Sequence, residues 1–230
     1  MLRVQQKSTS PLRRVAYYTT LESGTRPYAG FQPKPVDANG NRVLQAIFSS
    51  FDADATTTGD HCTYGADGGA GVSCAVRFRY TPGTMYSLVL KRAGVSGATQ
   101  LMTGDVVETA VGTPVAHIGS LGLPSASGRF KNADQGFIEP YLSAGCGQRI
   151  TVTYGRPVGT EAGAAHTGSL PTVTDPSSRS CLSTASQTTS HGHGQRGGSG
   201  GGARSRPNQL NPEPRPARHP SCEAPPAPTG

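Results

Sequence analysis

The stretch Val43-Leu-Gln-Ala-Ile-Phe-Ser-Ser-Phe-Asp52 carries the strongest buried-strand signal in this sequence. Branched and aromatic residues dominate it, which is typical of strands that pack against other apolar surfaces. A second strand-like run, Tyr28-Ala-Gly-Phe-Gln32, precedes it, and Asp37-Ala-Asn-Gly-Asn41 lies between the two. Because Asn39-Gly40 supplies the positive φ that a tight turn requires, the sequence predicts a β-hairpin.

The most regular alternation of apolar and polar residues lies at residues 72–80. It predicts a half-buried antiparallel strand. The next segment, Thr81-Pro-Gly-Thr84, has the composition of a type II turn. We therefore expect residues 85–90 to form a strand that returns as the partner of 72–80.

The other apolar runs are short and are separated by turns that contain Gly or Pro, and no long helical pattern is present. About nine strands are predicted, at residues 15–21, 28–32, 43–52, 72–80, 85–90, 99–109, 114–121, 137–142 and 149–154. Short strands at this spacing indicate an all-β fold, an antiparallel β-sandwich or jelly roll.

Aromatic residues are confined to the first two thirds of the chain. The 8 Tyr and 6 Phe all lie at or before Tyr154, which predicts one β-sandwich domain over residues 13–160 after a flexible lead at 1–12. Beyond it, Ser, Thr, Gly, Pro, Arg and His dominate, and such a segment buries too little apolar area to offset its ordering entropy. Residues 161–230 are therefore predicted to be a disordered tail, and the abrupt change raises the hypothesis of a frameshift.

The net charge of +7 is spread along the chain. Residues 1–160 hold 15 Lys and Arg against 10 Asp and Glu, and residues 161–230 hold 6 against 4. Nucleic-acid-binding surfaces concentrate Lys and Arg on one face, so a nucleic-acid partner is not expected. A basic binder that uses the Arg- and Gly-containing tail stays an alternative.

The N-terminal residues contain charge but no apolar core of a secretory signal. No run approaches the roughly 20 apolar residues of a membrane helix, so no membrane span is expected. The cysteine pattern nevertheless suits an exported protein. One way to reconcile this pattern with the lack of a secretory signal is a natural start that lies upstream of Met1.

Cysteines mark a long loop at residues 56–71, which is rich in Gly, Thr and Asp. Cys62 lies within the loop and Cys74 just after it. A disulfide between them would stabilise the domain by about 3 kcal/mol in the chain-entropy model. The alternative is two reduced thiols, but a disulfide suits a secreted β domain better. Cys146 has no obvious partner.

Four carboxylates, those of Asp52, Asp54, Asp60 and Asp67, lie in or beside the same loop. Carboxylate oxygens are the ligands that Ca²⁺ prefers, but the spacing matches no EF-hand loop. Since Asp and Gly are also ordinary turn residues, a solvated polar loop is the simpler interpretation. No cofactor is predicted, with Ca²⁺ kept as the alternative.

Catalytic patterns are weak. Asp134 and Glu139 are candidates for a glycosidase pair, but such a pair must flank one scissile bond, which sequence spacing does not show. Residues 128–136 contain no nucleophile elbow, residues 65–71 lack the Lys-Ser/Thr of a P-loop, and the sequence contains no His-Glu-x-x-His motif. No catalytic residue is assigned, and a glycan-acting enzyme domain stays an alternative.

Four segments together resemble a bacterial family called domain of unknown function 3472: Tyr28-Ala-Gly-Phe-Gln32, Ile47-Phe-Ser-Ser-Phe-Asp52, Gly65-Ala-Asp-Gly-Gly-Ala-Gly-Val72 and Tyr80-x-x-Gly-x-x-Tyr86. The resemblance covers roughly residues 15 to 160. It implies a secreted β-sandwich module, common in soil actinobacteria and gut bacteria, often beside sugar-related modules. Relatives usually have Trp at the position of Phe51, and the family provides no catalytic residues to carry over.

The resemblance favours an extracellular, non-catalytic module that binds a polysaccharide or a cell-surface glycan. Sugars present apolar C–H faces and hydroxyl groups, so a site requires an aromatic ring beside planar polar groups. We expect the site at the hairpin and the loop that follows it, with Phe31 and Phe51 in the core and two tyrosines exposed. The candidate ligand-binding residues are Tyr28, Gln32, Asp52, Tyr64 and Asp67.

Overall fold

The computed structural model describes residues 2–6, 13–140, 150–161, 164–168, 183–189 and 192–198. They all lie in one compact unit, Met1–Gly200. The strands are β1 (Leu2–Gln6), β2 (Arg13–Leu21), β3 (Tyr28–Lys34), β4 (Val43–Ser50), β5 (Cys62–Tyr64), β6 (Val72–Arg79), β7 (Tyr86–Ser96), β8 (Thr99–Glu108), β9 (Thr113–Pro124), β10 (Phe130–Pro140), β11 (Ile150–Tyr154), β12 (Val158–Glu161), β13 (Ala164–Thr167), β14 (Ser183–Thr189) and β15 (Gly192–Gly198).

Two antiparallel sheets form the body of the protein. The seven-stranded sheet has the order β14-β15-β11-β1-β7-β8-β9, and the six-stranded sheet has the order β10-β2-β3-β4-β6-β5. Fully buried residues from both sheets share one core, among them Phe31 and Phe48 from one sheet and Met102 and Leu121 from the other. The predicted all-β sandwich is confirmed.

The predicted hairpin is β3–β4, with Phe31 opposite Ala46 in its register. Leu44, Ala46 and Phe48 are fully buried and lie on the face of β4 that meets the core. Ile47 lies on the other face, which we call the outer face of the six-stranded sheet. The alternation predicted for β6 is also present, because Val72, Cys74 and Phe78 are buried while Arg77 and Arg79 are exposed.

Asp37 organises the β3–β4 turn. Its carboxylate accepts hydrogen bonds from the backbone N–H groups of Asn39 and Asn41, at 2.9 and 2.8 Å, and from the side-chain amide of Asn41. Arg79 Nε donates to it at 2.8 Å from the end of β6. These bonds, led by that of the Asn41 amide, lower the pKa of Asp37 to about 2. Gly40 takes the expected positive φ, 76°.

The predicted pairing of the strands on either side of Thr81–Thr84 is wrong. β6 pairs with β4 and β5, whereas β7 pairs with β1 and β8 in the other sheet. The turn carries the chain across the core, where Phe78 and Tyr86 pack edge to face at 5.5 Å. An amphipathic strand buries its apolar face equally well against a neighbour in its sheet or across the core, so alternation alone does not distinguish the two.

Strands also occupy parts of the predicted flexible lead and tail. β1 lies between β7 and β11, β15 pairs with β11, and β14 pairs with β15. A further hairpin joins β12 and β13. Such pairing does not require apolar side chains, because ladder hydrogen bonds come from the backbone. The division into a flexible lead, a domain and a disordered tail stays a prediction. The rest of the predicted tail, and Cys146, lie outside the described residues.

Candidate functional site

An exposed aromatic ring stands at the end of the hairpin. Phe51 directly follows β4, is 42% exposed, and stacks on Tyr28 with ring centroids 5.3 Å apart and planes inclined by 22°. Tyr28, at the start of β3, is only 2% exposed. Both expectations for these rings are therefore wrong, since Phe51 is not a core residue and Tyr28 does not face solvent.

Strand alternation explains why Phe51 is exposed and Tyr28 lies beneath it. Phe48 lies in the core and Phe51 follows it at an odd interval, so the strand phase directs Phe51 to the outer face. Tyr28 pairs with Ser49 and lies on that same face. Phe51 therefore covers the Tyr28 ring and keeps one side of its own ring in solvent. The odd interval between the two Phe residues is a sequence signal that could have identified this position.

The long loop contributes Asp67 to the same place. Asp67 lies in a short 3-10 turn, Ala66–Gly68, with a φ of 48°, a left-handed conformation that Asp tolerates better than most residues. The Tyr28 hydroxyl donates a hydrogen bond to Asp67 Oδ2 at 3.3 Å. The carboxylate thus holds the hydroxyl of Tyr28, and the ring of Tyr28 supports Phe51.

A groove of about 370 Å³ runs beside the Phe51 ring. Its lining combines the residues just after β4 with the β2–β3 connection: Gly24, Thr25, Arg26, Phe51 and Asp52. Thr25 Oγ1 donates to Asp52 Oδ2 at 3.4 Å, and the backbone N–H of Asp54 donates to Asp52 Oδ1 at 3.0 Å. A carboxylate has about four acceptor positions, so Asp52 keeps capacity for further donors.

Gln32 and Tyr64 do not line this groove. Gln32 is 1% exposed; its Oε1 accepts a hydrogen bond from Lys34 Nζ at 2.9 Å, while its Nε2 has no hydrogen-bond partner. Tyr64 ends β5 and is 67% exposed. The structure therefore brings Tyr28, Asp52 and Asp67 together around Phe51. Sequence reasoning missed Thr25, Arg26 and the exposure of Phe51.

The loop after Phe51 is anchored at several points. The predicted disulfide between Cys62 and Cys74 is present, and the two cysteines face each other directly in the β5–β6 ladder. Thr56 pairs with Gly122 on the edge strand β9. These contacts connect the loop to both sheets and anchor a segment that has few apolar residues of its own.

The metal ligands and the glycosidase pair considered in the sequence analysis gain no support from the geometry. Within the part of the chain that the structure describes, no three His, Cys, Asp or Glu side chains are grouped so as to hold a metal ion. Asp134 and Glu139 lie on an uninterrupted part of the β10–β2 ladder, separated by an odd number of positions. Successive strand positions alternate between faces, so these two positions lie on opposite faces of the sheet.

Comparisons with protein-family models and with curated proteins find no match for this chain. Among the described residues there is no helix with the length and apolar character that a membrane crossing requires. The candidate site is therefore argued from its own geometry.

Proposed function

We propose that the groove beside Phe51 is a non-catalytic site that binds a polysaccharide. The observation that carries the proposal is an exposed Phe ring held in place by a buried Tyr and bordered by polar groups. Exposed aromatic rings on rigid supports are suited to the apolar C–H faces of pyranose rings. The ring is fixed before binding, so little side-chain entropy is lost when a sugar stacks on it.

The polar groups of the groove suit the hydroxyl groups at the rim of a sugar ring. Asp52 offers acceptor positions, and Arg26 offers the donors of a planar guanidinium. Planar groups of this kind can engage two neighbouring hydroxyl groups at once. Because the lining residues carry one negative and one positive charge, a neutral glycan fits the site better than a polyanion.

Tyr64 lies on the other side of the sheet from Phe51. Tyr64 pairs with Val72, and Val72 is a core residue, so Tyr64 shares the side of the sheet that faces the core. Phe51 lies on the outer face with Tyr28. A sugar that stacks on Phe51 is therefore not expected to contact Tyr64.

An extracellular location belongs to the same proposal. Disulfides persist mainly in oxidising compartments, so the disulfide between Cys62 and Cys74 supports export. The resemblance to the family of domain of unknown function 3472 favours the same location and an association with sugars. Peptide mapping of the natural protein without reductant tests this, since alkylation of both cysteines as free thiols would contradict it.

Retention on insoluble cellulose and xylan tests the binding proposal. Phe51→Ala removes the stacking ring, and a loss of about 1.4 kcal/mol corresponds to tenfold weaker retention. Phe51→Trp enlarges the ring face and is expected to strengthen retention. Tyr64→Ala removes an exposed ring on the other side of the sheet, so it is expected to leave retention and the melting temperature nearly unchanged.

Val36→Ala provides the matched control, because Val36 is an exposed apolar residue outside the groove. It should bind as the parent does. The proposal is wrong if neither polysaccharide retains the parent, or if Phe51→Ala is retained equally well while folded.

A further inference from the structure

A serine, a histidine and an aspartate are aligned on the seven-stranded sheet, away from the residues that line the groove. His117 Nδ1 lies 2.7 Å from Asp105 Oδ1, and Ser120 Oγ lies 3.5 Å from His117 Nε2. Lys91 Nζ forms an ion pair with the other oxygen of Asp105 at 3.5 Å. Met102 and Val106 of β8 face the core, and Asp105 lies at an odd interval from both. The side chains of Asp105, His117 and Ser120 therefore lie on the face of the sheet that points away from the core.

The short contact between His117 and Asp105 fixes the protonation pattern. A carboxylate only accepts hydrogen bonds, so Nδ1 of His117 carries the ring proton and donates a hydrogen bond to Asp105. In the neutral ring, Nε2 then has a free lone pair and accepts a hydrogen bond from the hydroxyl group of Ser120. This is the arrangement of a nucleophile, its general base and the group that orients the base. The contact at Ser120 is at the long end, as is common before substrate binds.

A β-bulge creates the alignment. His117 and Ser120 are three positions apart on β9, and an unbroken strand would place them on opposite faces. The register shifts here, however: Gly119 pairs with Gly104 and His117 pairs with Asp105, which leaves Ile118 without a partner. Ile118 is fully buried, and His117 and Ser120 both face outward. Bulges that redirect a side chain are common beside functional sites.

The disulfide and the long loop hold this bulge. A Cβ on Gly119 would lie 2.7 Å from the Cys74 Sγ and even closer to that of Cys62, and the φ of Gly119 is 154°. Only glycine fits between the bulge and the disulfide. Thr57 Oγ1 donates to the carbonyl oxygen of Ser120 at 2.8 Å, which fixes the backbone of the serine.

We propose that Ser120 is a nucleophile that accepts small acyl groups from esters, with His117 as its base and Asp105 as a positioning residue. Ser120 Oγ attacks the ester carbonyl and its proton passes to His117 Nε2. The bond from the acyl carbon to the alcohol oxygen breaks, and the alcohol leaves with that proton. Water, deprotonated by the same nitrogen, then attacks the acyl-serine, which releases the carboxylic acid and restores Ser120.

The exposure of the group sets the substrate class. The side chain of His117 is 54% exposed, so the ring lies open on the sheet surface rather than at the bottom of a pocket. An open surface provides little wall against which a long acyl chain could pack. Acetyl esters of larger carriers are therefore the favoured substrates.

Labelling with a fluorophosphonate probe tests the proposal on the full chain. In this reaction the serine oxygen bonds to phosphorus and fluoride leaves. The label is expected on Ser120, and His117→Gln is expected to slow labelling by about 100-fold, a typical contribution of a general base. Since His117 is exposed, this substitution tests the base without threatening the fold. Asp105→Asn should also slow labelling, and Asp105→Glu should restore part of it.

Two controls make the outcome decisive. Ser96→Ala changes an exposed serine of β7, and His166→Gln changes an exposed histidine of β13. Both variants should be labelled at the parent rate. With 4-nitrophenyl acetate, mass spectrometry should detect an acetyl group on Ser120 that is absent in Ser120→Ala. Failure to label Ser120, or labelling of His117→Gln at the parent rate, would overturn the proposal.

Discussion

The two connections that border β4 are built in different ways. The turn before it, Asp37–Asn41, is held mainly by hydrogen bonds within the turn, and its geometry follows from its own residues. The connection after it, residues 51–71, is held by a disulfide, by a bridge to β9 and by the contact of Asp67 with Tyr28. The candidate site therefore depends on tertiary contacts, whereas the turn depends mainly on its own residues, with one added hydrogen bond from Arg79.

Removal of the disulfide should have the largest effect on stability. Cys62→Ala combined with Cys74→Ala should lower the free energy of unfolding by about 3 kcal/mol, because the unfolded chain regains the entropy that the cross-link removes. Urea unfolding measures this. Amide exchange at Asn41 should stay slow if the turn is independent of the loop. An unchanged unfolding midpoint would mean that the loop does not need this anchor.

Matched glycine substitutions compare the two connections directly. Gly71 ends the long loop at a φ of 96°, and a Cβ there would overlap the carbonyl oxygen of Ser50. Gly40 has a φ of 76° in the short turn and open space around it. We expect Gly71→Ala to cost about 2 to 3 kcal/mol from strain and overpacking, and Gly40→Ala about 1 kcal/mol from strain alone. Thermal unfolding measures both losses of stability. Equal losses for Gly71→Ala and Gly40→Ala would contradict the account of the loop.

Tyr28→Phe probes the contact between the loop and the hairpin. It removes the hydrogen bond to Asp67 and keeps the ring beneath Phe51, so the expected cost is about 1 kcal/mol. The melting temperature measures the cost. Polysaccharide retention should change less than in Phe51→Ala. A larger loss of binding than in Phe51→Ala would mean that the tyrosine hydroxyl, and not the Phe ring, makes the main contact.

The smallest effect is expected from the pH dependence of the short turn. The pKa of Asp37 is lowered on folding, so its contribution to stability is present above the unfolded pKa and is lost as pH falls through about 2. Asn41→Ala removes the leading cause and should raise the pKa of Asp37. NMR titration of the carboxyl group measures both values. A parent midpoint at the ordinary value for Asp would contradict the hydrogen-bond account of the turn.

Much of the fold follows from local pattern. Branched and aromatic composition predicts β4, alternation predicts β6, and Asn39-Gly40 predicts the turn, because these signals depend on backbone conformation and on buried faces. The sheet to which β7 belongs could not be derived, since Tyr86 can bury its ring beside a neighbouring strand or across the core. Backbone pairing of β14 and β15 leaves no apolar signature in the sequence.

The sites were harder to predict than the fold. Cys62 and Cys74 could be paired from loop length and composition, and Asp52 and Asp67 were placed near a site. The apolar character of Phe51 predicts burial in the core, although its odd spacing from Phe48 indicates the outer face. Ser120 and His117 would lie on opposite faces of a regular strand, so only the bulge at Gly119 brings them together.

NMR titration of the labelled domain with a soluble xylan or cellulose oligosaccharide tests the central claim most directly. Binding beside Phe51 predicts that the amide shifts change most at Gly24, Thr25, Arg26 and Asp52, while those of the Asp37–Asn41 turn stay unchanged. The Phe51→Ala variant should lose these changes and keep the rest of its spectrum. Shift changes centred on another surface, or none at saturating oligosaccharide, would contradict the assignment of this groove as the binding site.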